Sequence, residues 1–146
     1  MSEFRIVVDT REKNPLMCFR EVVRRKLQYG DYAIEGKEGL TSVEYKSSWD
    51  WASCNRSKAG RARLVLQTTN LIKNVRNALL VIMLPPPEHV LQMKFPGLKR
   101  QFLFDAIASY SKMVVGERVL TVYPVYSRAD ASELIDLWLD FQNRNG

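Results

Sequence analysis

The apolar and polar residues in the first third of the chain alternate in a way that predicts strands. Residues 4 to 12, FRIVVDTRE, begin with a nearly continuous apolar run, which predicts a buried central strand. Residues 19 to 27 place valines among charged side chains, and such charges are typical of an edge strand. YAIEG at residues 32 to 36 leads through glycines into LTSVEYKSS at residues 40 to 48, and this spacing predicts a β-hairpin.

Helices alternate with strands in the middle of the chain. Residues 49 to 78 carry apolar side chains at helical spacing and are interrupted between Ser57 and Gly60, which predicts a break followed by a longer helix. Residues 78 to 84, ALLVIML, form a short continuous apolar run and predict another buried strand. The prolines within residues 85 to 97 predict a loop.

Three further elements complete the predicted order. A helix is expected from about Leu98 to Met113, and residues 119 to 127 predict a last strand that Pro124 restricts to an edge or a bulge. The final helix is expected to begin near Ser127, with an apolar stripe from Ala131 to Phe141. The sequence therefore predicts an α/β fold in which helices flank a mixed central sheet.

Length and composition narrow the class of protein. The 146 residues, 46% hydrophobic and 26% charged, are enough for one globular domain spanning residues 1 to 146. The net charge of +6 favours an acidic partner, and nucleic acid is the commonest one. The sequence shows neither a long apolar stretch nor a secretory leader. We therefore expect a cytoplasmic or nucleoid protein, or a nuclear one in a eukaryote, and not a secreted or membrane protein.

Histidine and cysteine chemistry is disfavoured. The single histidine, His89, lies in the segment expected to be a surface loop. Cys18 and Cys54 lack the spacing of zinc ligands. A structural zinc site is therefore not expected, and we expect both cysteines to be reduced and at least half-buried.

A carboxylate and an amine share one face of the predicted hairpin. Because strand side chains alternate, Glu44 and Lys46 point the same way, and the hairpin brings Asp31 alongside them. Two carboxylates can hold a hard divalent cation, which acidifies a water and stabilises charge on a phosphate. A neighbouring lysine can orient the water or offset that charge. An ordinary pair of solvated charges produces the same spacing, so this alternative stays open.

Other polar residues are candidates for the same site or for contacts with phosphate. Asp9 and Arg11 emerge where the first strand ends, as site residues or as a structural ion pair. Gln67 lies on the core side of its helix, where its side chain makes a hydrogen bond at the core edge or reaches the site. The candidates for DNA binding, which are equally explained as solvated cations, are Arg56, Lys58, Arg61, Arg63 and, in the predicted loop, Lys94.

Three ordered motifs give the chain a family resemblance. VDTRE at residues 8 to 12, GD at 30 to 31 and EYKSSWD at 44 to 50 together resemble the XPF/Mus81/Hef-type (ERCC4-domain) nuclease domain. The signature of that family is GD, a variable stretch, ERK, three residues and D. The family belongs to the PD-(D/E)xK superfamily, so the resemblance implies a restriction-endonuclease-like fold.

The resemblance also implies roles for individual residues. Asp31 and Glu44 would hold Mg²⁺ or Mn²⁺ together with the backbone carbonyl of Tyr45, and Lys46 would assist the attacking water. The supporting groups that shape the site or bind phosphate would be Asp9, Arg11, Glu12 and Asp50. Tyr45 stands where the family usually has Arg, which removes a side chain suited to bidentate phosphate contacts.

By the same resemblance, the chain is expected to be a structure-selective DNA endonuclease in repair or recombination. It would cut branched DNA such as flaps or Holliday junctions and leave a 5′-phosphate and a 3′-hydroxyl. A homodimer through the Leu98–Met113 and Ala131–Phe141 helices is expected by analogy. We expect no helix-hairpin-helix module of the kind common in the family to follow the domain, so a protein partner would be one source of specificity. The alternatives are a non-catalytic DNA-binding subunit with the same fold and a basic interaction module whose acids only form ion pairs.

Overall fold

The structure, a computed structural model, describes residues 3–146. Its main feature is a six-stranded sheet with the order β2-β1-β3-β4-β5-β8. The strands of this sheet are β1 (Ile6–Val8), β2 (Val22–Arg24), β3 (Tyr32–Ile34), β4 (Thr41–Lys46), β5 (Asn77–Met83) and β8 (Thr121–Val125). A separate two-stranded hairpin joins β6 (Val114–Val115) to β7 (Arg118–Val119). The helices are α1 (Ser48–Asn55), α2 (Lys58–Asn74), α3 (Glu88–Lys94), α4 (Arg100–Tyr110) and α5 (Arg128–Asn145).

The sheet is mixed because a hairpin and crossover connections both contribute to it. The β3–β4 pair is antiparallel, as the glycine-containing hairpin requires, and β1 also runs antiparallel to β3. In contrast, β4, β5 and β8 are mutually parallel neighbours, since helices connect them in the chain. The predicted mixed α/β fold is confirmed.

Each face of the sheet has its own apolar core. On one face Leu80 and Ile82 pack with Trp51 and with residues of α2 and α4. On the other face Val43 and Tyr45 pack with residues of α5. Because β4 and β5 are parallel and in register, Glu44 lies beside Leu80 on the first face. A charged residue of β4 therefore lies at the margin of an apolar core.

Several local predictions are confirmed. The edge position of β2 and the buried β5 agree with the sequence pattern. The predicted helix break is present at residues 56 to 57, slightly earlier than predicted, because α2 already begins at Lys58. β8, which contains Pro124, is the other edge of the sheet. Ser127 caps α5 by accepting a hydrogen bond from Asp130 N. Within residues 3–146, α5 and the shorter helices all fall short of the length or apolar character needed to cross a membrane.

The prediction of a loop at residues 85 to 97 is wrong. Glu88–Lys94 forms α3, and Pro87 occupies its N-cap position. Proline is tolerated at a helix start because the first backbone N–H groups have no partner within the helix. His89 therefore lies on an exposed helix and not in a loop. The helix predicted from Leu98 to Met113 is also shorter, since its residues beyond Tyr110 lead into the β6–β7 hairpin.

Candidate functional site

A cleft of about 460 Å³ opens beside β4, between the turn before β3 and helix α2. It lies on the face of the sheet that carries Glu44 and Lys46. Its lining combines groups from β1, the turn, β4 and α2: Asp9, Arg11, Glu12, Gln28, Tyr29, Gly30, Asp31, Glu44, Lys46, Gln67, Thr68, Asn70 and Leu71. The predicted core of the site, Asp31 with Glu44 and Lys46, therefore lies in one cleft.

Asp31 is fixed by backbone contacts on both sides. Its N–H donates to Val43 O at 2.7 Å, and its carbonyl accepts from Asp9 N at 2.9 Å. Its carboxylate oxygen Oδ2 accepts from Tyr45 N at 2.8 Å. The preceding Gly30 has φ of +82°, and a Cβ there would collide with the Ser42 hydroxyl. Glycine is required at that position, which explains the GD pair.

Glu44 is held by two donors on one of its oxygens. Its Oε1 accepts from Gln67 Nε2 at 3.0 Å and lies 3.3 Å from Lys46 Nζ. The residue is only 7% exposed. Gln67, which the sequence placed on the core side of its helix, thus reaches across to the site. Because both donors bind Oε1, the other oxygen, Oε2, is left for a further partner.

The charges of the cleft act on one another. Burial, and then the negative charge of Glu44, raise the pKa of Asp31 well above its usual value. Burial alone would lower the pKa of Lys46, but the charges of Glu44, Cys54 and Asp31 outweigh it and raise that pKa. Lys46 is therefore protonated at neutral pH. A positive group is favoured next to the two carboxylates.

The donor set fits a hard divalent cation. Within residues 3–146, Asp31 Oδ1 and Glu44 Oε2 accept no hydrogen bond, so each is available as a ligand. The described chain contains no group of three or more His, Cys, Asp or Glu residues arranged to hold a metal. Mg²⁺ nevertheless keeps several waters and commonly binds proteins through one or two carboxylates. A two-carboxylate site matches that habit.

Asp9 and Arg11 form part of the cleft wall. Asp9 is 2% exposed, and its carboxylate accepts from Leu27 N at 2.8 Å and from Arg11 Nε at 2.9 Å. Arg11 also donates to Leu27 O at 2.6 Å. Both oxygens of Asp9 are thus occupied, and the pair fastens residue 27 to the end of β1. The geometry favours the structural alternative for Asp9, whereas Arg11 remains largely exposed at the cleft.

Glu12, Asp50 and Tyr45 differ in how they face the site. Glu12 lines the cleft, and burial, followed by the charges of Asp50 and Glu44, raises its pKa. Asp50 is an exposed residue in the first turn of α1. The ring of Tyr45 packs in the core on the opposite face of the sheet, and its hydroxyl is buried without a hydrogen bond. The tyrosine that replaces the expected Arg therefore does not enter the cleft.

The five predicted DNA-binding cations lie outside the cleft lining. Arg56 stacks over Phe95 at 4.9 Å, and Lys94 lies 4.7 Å from the ring of Trp49. Lys94 belongs to α3, which corrects its placement in a loop. Arg61 donates to Asn55 O at 2.9 Å. The two others, Lys58 and Arg63, are exposed cations on the first turns of α2. The binding role of all five stays a prediction.

The sequence pattern did not indicate several of the residues that line the cleft. Gln28 and Tyr29 directly precede the GD pair, and Thr68, Asn70 and Leu71 follow Gln67 on α2. Asn70 lies three residues after Gln67, so helical periodicity was a signal that could have identified it. Gln28 and Tyr29 enter the cleft through an irregular turn, for which residue spacing carries no signal.

Comparison with known proteins yields a match at the level of structure alone. No protein-family model matches the sequence, and no curated protein matches it. The solved structure of XPF from Aeropyrum pernix is similar with a TM-score of 0.69 and 19% identity, covering 94% of this chain and 60% of that one. XPF from Aeropyrum pernix in complex with DNA is similar with a TM-score of 0.70 and 18% identity, covering 98% and 66%.

The chain thus spans roughly three fifths to two thirds of those XPF chains. The similarity extends over nearly all of its own residues. At this level of identity the comparison speaks for the fold. Over nearly all of its length, the chain has the fold of XPF from Aeropyrum pernix.

Proposed function

We propose that this protein is a Mg²⁺- or Mn²⁺-dependent DNA endonuclease that hydrolyses phosphodiester bonds. The observation that carries the proposal is the convergence of Asp31, Glu44 and Lys46 in one cleft, with one oxygen of each carboxylate free. The net charge of +6 and the similarity to XPF in complex with DNA support a DNA substrate.

Asp31 and Glu44 are the residues that would hold the metal ion, with the carbonyl of Tyr45 as a further candidate ligand. A divalent ion bound there supplies a water of lowered pKa and positive charge beside the phosphate. The hydrogen bond from Tyr45 N fixes the orientation of the Asp31 carboxylate. The hydrogen bond from Gln67 does the same for Glu44. Both carboxylates are therefore oriented before an ion binds.

Lys46 acts as a cation in this proposal. Its raised pKa keeps the ammonium group protonated at neutral pH. A protonated amine cannot accept a proton from water, but it can donate hydrogen bonds that orient the water or offset charge on the phosphate. Lys46 Nζ is 3.3 Å from Glu44 Oε1, so its charge lies beside a carboxylate that would hold the metal ion.

Selectivity for branched DNA, and a role in repair or recombination, are the finer part of the proposal. A substrate panel tests both levels: a four-way junction, a 3′ flap, a linear duplex and a single strand, each with Mn²⁺, Mg²⁺ or EDTA. We expect metal-dependent cutting that leaves a 5′-phosphate, is fastest on a branched substrate and falls about 10²- to 10³-fold in Lys46→Ala.

Each other outcome of the panel has a distinct meaning. If all duplex substrates are cut equally fast, the proposed selectivity for branches is wrong and the proposed nuclease activity is supported. Tight binding without cutting on any substrate would favour a non-catalytic DNA-binding subunit. If the protein neither binds nor cuts any substrate, the remaining alternative is a basic interaction module. Cutting by Lys46→Ala at the parent rate would show that the site lies elsewhere.

We also propose that the protein forms a homodimer at the β8 edge of the sheet. The two helices expected at a dimer face, α4 and α5, lie on opposite faces of the sheet, and both contact β8. The apolar side chains exposed there include Tyr123, Tyr126 and Leu137. Such a row of apolar groups beside an unpaired strand edge is suited to association with a second copy.

Sedimentation equilibrium tests the dimer. The weight-average mass should rise toward twice 16.9 kDa with concentration. Leu137→Glu should shift the equilibrium toward the monomer at least about tenfold, because it introduces a charge into an apolar contact. Leu66→Glu, at an exposed leucine of α2, is the matched control and should leave the mass unchanged. A parent protein that stays monomeric at every concentration would contradict the proposal.

A further inference from the structure

A second recess lies between the end of α2 and the β6–β7 hairpin, and we call it the hairpin groove. Its volume is about 1000 Å³. It is lined by Lys73, Arg76, Asn77, Val115, Gly116, Glu117, Arg118 and Val119. None of these residues lines the cleft described above.

The hairpin groove is positively charged. Lys73, Arg76 and Arg118 are exposed, and they outnumber the one acidic residue of the lining, Glu117. Within residues 3–146, none of the three cations forms an ion pair. The excess of positive charge around one recess favours an anionic ligand.

Stabilisation of the end of α2 explains part of this charge. Arg118 donates to the carbonyl of Lys73 at 2.7 Å, and cations near a helix C-terminus interact favourably with its dipole. Arg76 is different, because it follows the end of α2 and its side chain forms no hydrogen bond within residues 3–146. Its exposed guanidinium is therefore available to a ligand.

Helix α2 connects the hairpin groove to the cleft. Gln67, which binds Glu44, is seven residues before Asn74 at the end of the helix. At 1.5 Å per residue this corresponds to about 10 Å along the helix axis. Consecutive phosphates of one DNA strand advance by about 3.4 Å along the duplex axis. A strand that runs along α2 with its scissile phosphate in the cleft would thus bring a phosphate about three nucleotides away close to the hairpin groove.

The lining also distinguishes between kinds of nucleic acid. It contains no aromatic side chain on which an unpaired base could stack, and stacking is characteristic of single-strand sites. Cations around an open recess are instead suited to the sugar–phosphate backbone of a duplex. We propose that the hairpin groove binds the backbone of the duplex arm beside the scissile bond, about three nucleotides from it. This inference rests on the proposed function, because the cleft defines where the scissile phosphate lies.

Binding without metal separates this inference from the nuclease proposal. Fluorescence anisotropy with a labelled duplex in EDTA gives affinities over a range of salt concentrations for the parent, Lys73→Gln and Arg76→Gln. Each variant should bind about 3- to 10-fold more weakly, and the slope of log K against log salt should become shallower by about 1. The control is Arg5→Gln, which removes one exposed positive charge outside both the cleft and the hairpin groove.

Replacement of a single DNA phosphate by an uncharged methylphosphonate localises the contact between the DNA and the hairpin groove. A methylphosphonate placed two to four nucleotides from the cleavage position should weaken binding by the parent but not further weaken binding by Arg76→Gln. If Lys73→Gln and Arg76→Gln both behave like Arg5→Gln while the parent binds DNA, the groove assignment is wrong and the proposed nuclease stands. If the parent binds no DNA, both proposals are wrong.

Discussion

Glu44→Gln should lower the rate of metal-dependent DNA cleavage by about 10³-fold while the protein stays folded. The substitution keeps the shape of the side chain but removes one of two carboxylates that would hold the ion. Loss of several kcal/mol of charge stabilisation corresponds to a rate factor of this size. Single-turnover cleavage with Mn²⁺ measures the rate, and calorimetry should show the loss of Mn²⁺ binding in parallel.

Two further variants show whether the effect is specific to Glu44. Glu3→Gln removes an exposed carboxylate outside the cleft and should cut at the parent rate. Gln67→Ala removes a donor to Glu44 and should slow cleavage by about 10-fold, in the range found for groups that orient metal ligands. If Glu44→Gln cuts DNA and binds Mn²⁺ as the parent does, Glu44 does not belong to the site.

Asp9→Asn should destabilise the fold by about 2 kcal/mol at neutral pH, the range for hydrogen bonds to a charged group. The carboxylate is buried and accepts hydrogen bonds from Leu27 N and Arg11. An asparagine can still accept from Leu27, but its amide N–H groups would face the donors of Arg11. Urea unfolding followed by circular dichroism measures the difference.

The same substitution should change how stability depends on pH. Burial alone would raise the pKa of Asp9, but the hydrogen bonds from Leu27 and Arg11 and the charge of Arg11 lower it overall. A lowered pKa in the folded state stabilises the fold above the unfolded value of about 3.9, and this contribution is lost as the pH falls through the folded value. The difference between parent and variant should therefore be largest at pH 7 and shrink toward pH 3.

Two comparisons show whether the role of Asp9 is structural: a substitution at an exposed aspartate, and the cleavage activity of Asp9→Asn. Asp105→Asn, at an exposed residue of α4, should change stability by less than about 0.5 kcal/mol at any pH. If Asp9 is structural, Asp9→Asn should cut DNA at close to the parent rate at low temperature, where the variant is folded. Full stability combined with complete loss of cleavage would instead make Asp9 a catalytic residue.

The grouping of Asp31, Glu44 and Lys46 was predictable because it depends on short-range rules. Strand alternation placed Glu44 and Lys46 on one face, and the hairpin placed Asp31 beside them. Helical periodicity placed Gln67 on the inner side of α2. Each inference needs a few neighbouring residues and one regular period, which a single sequence contains.

Other features depend on contacts that spacing does not encode. The partner of Asp9 is Leu27, 18 residues away and beyond an irregular segment. The prolines at residues 85 to 97 concealed α3, because three of them precede its first turn. The β6–β7 hairpin has strands of only two residues, too short for alternation to be visible.

The pairing of β3 with β4 has a consequence for how the chain tolerates changes of length. Glu44 and Lys46 face the cleft, while Val43 and Tyr45 face a core. A single inserted or deleted residue within β4 would exchange the two sets, burying charges and exposing Tyr45 to solvent. The connecting turn at residues 35 to 40 carries no such constraint. We therefore expect insertions and deletions among homologues of this chain to occur in that turn and not in β4.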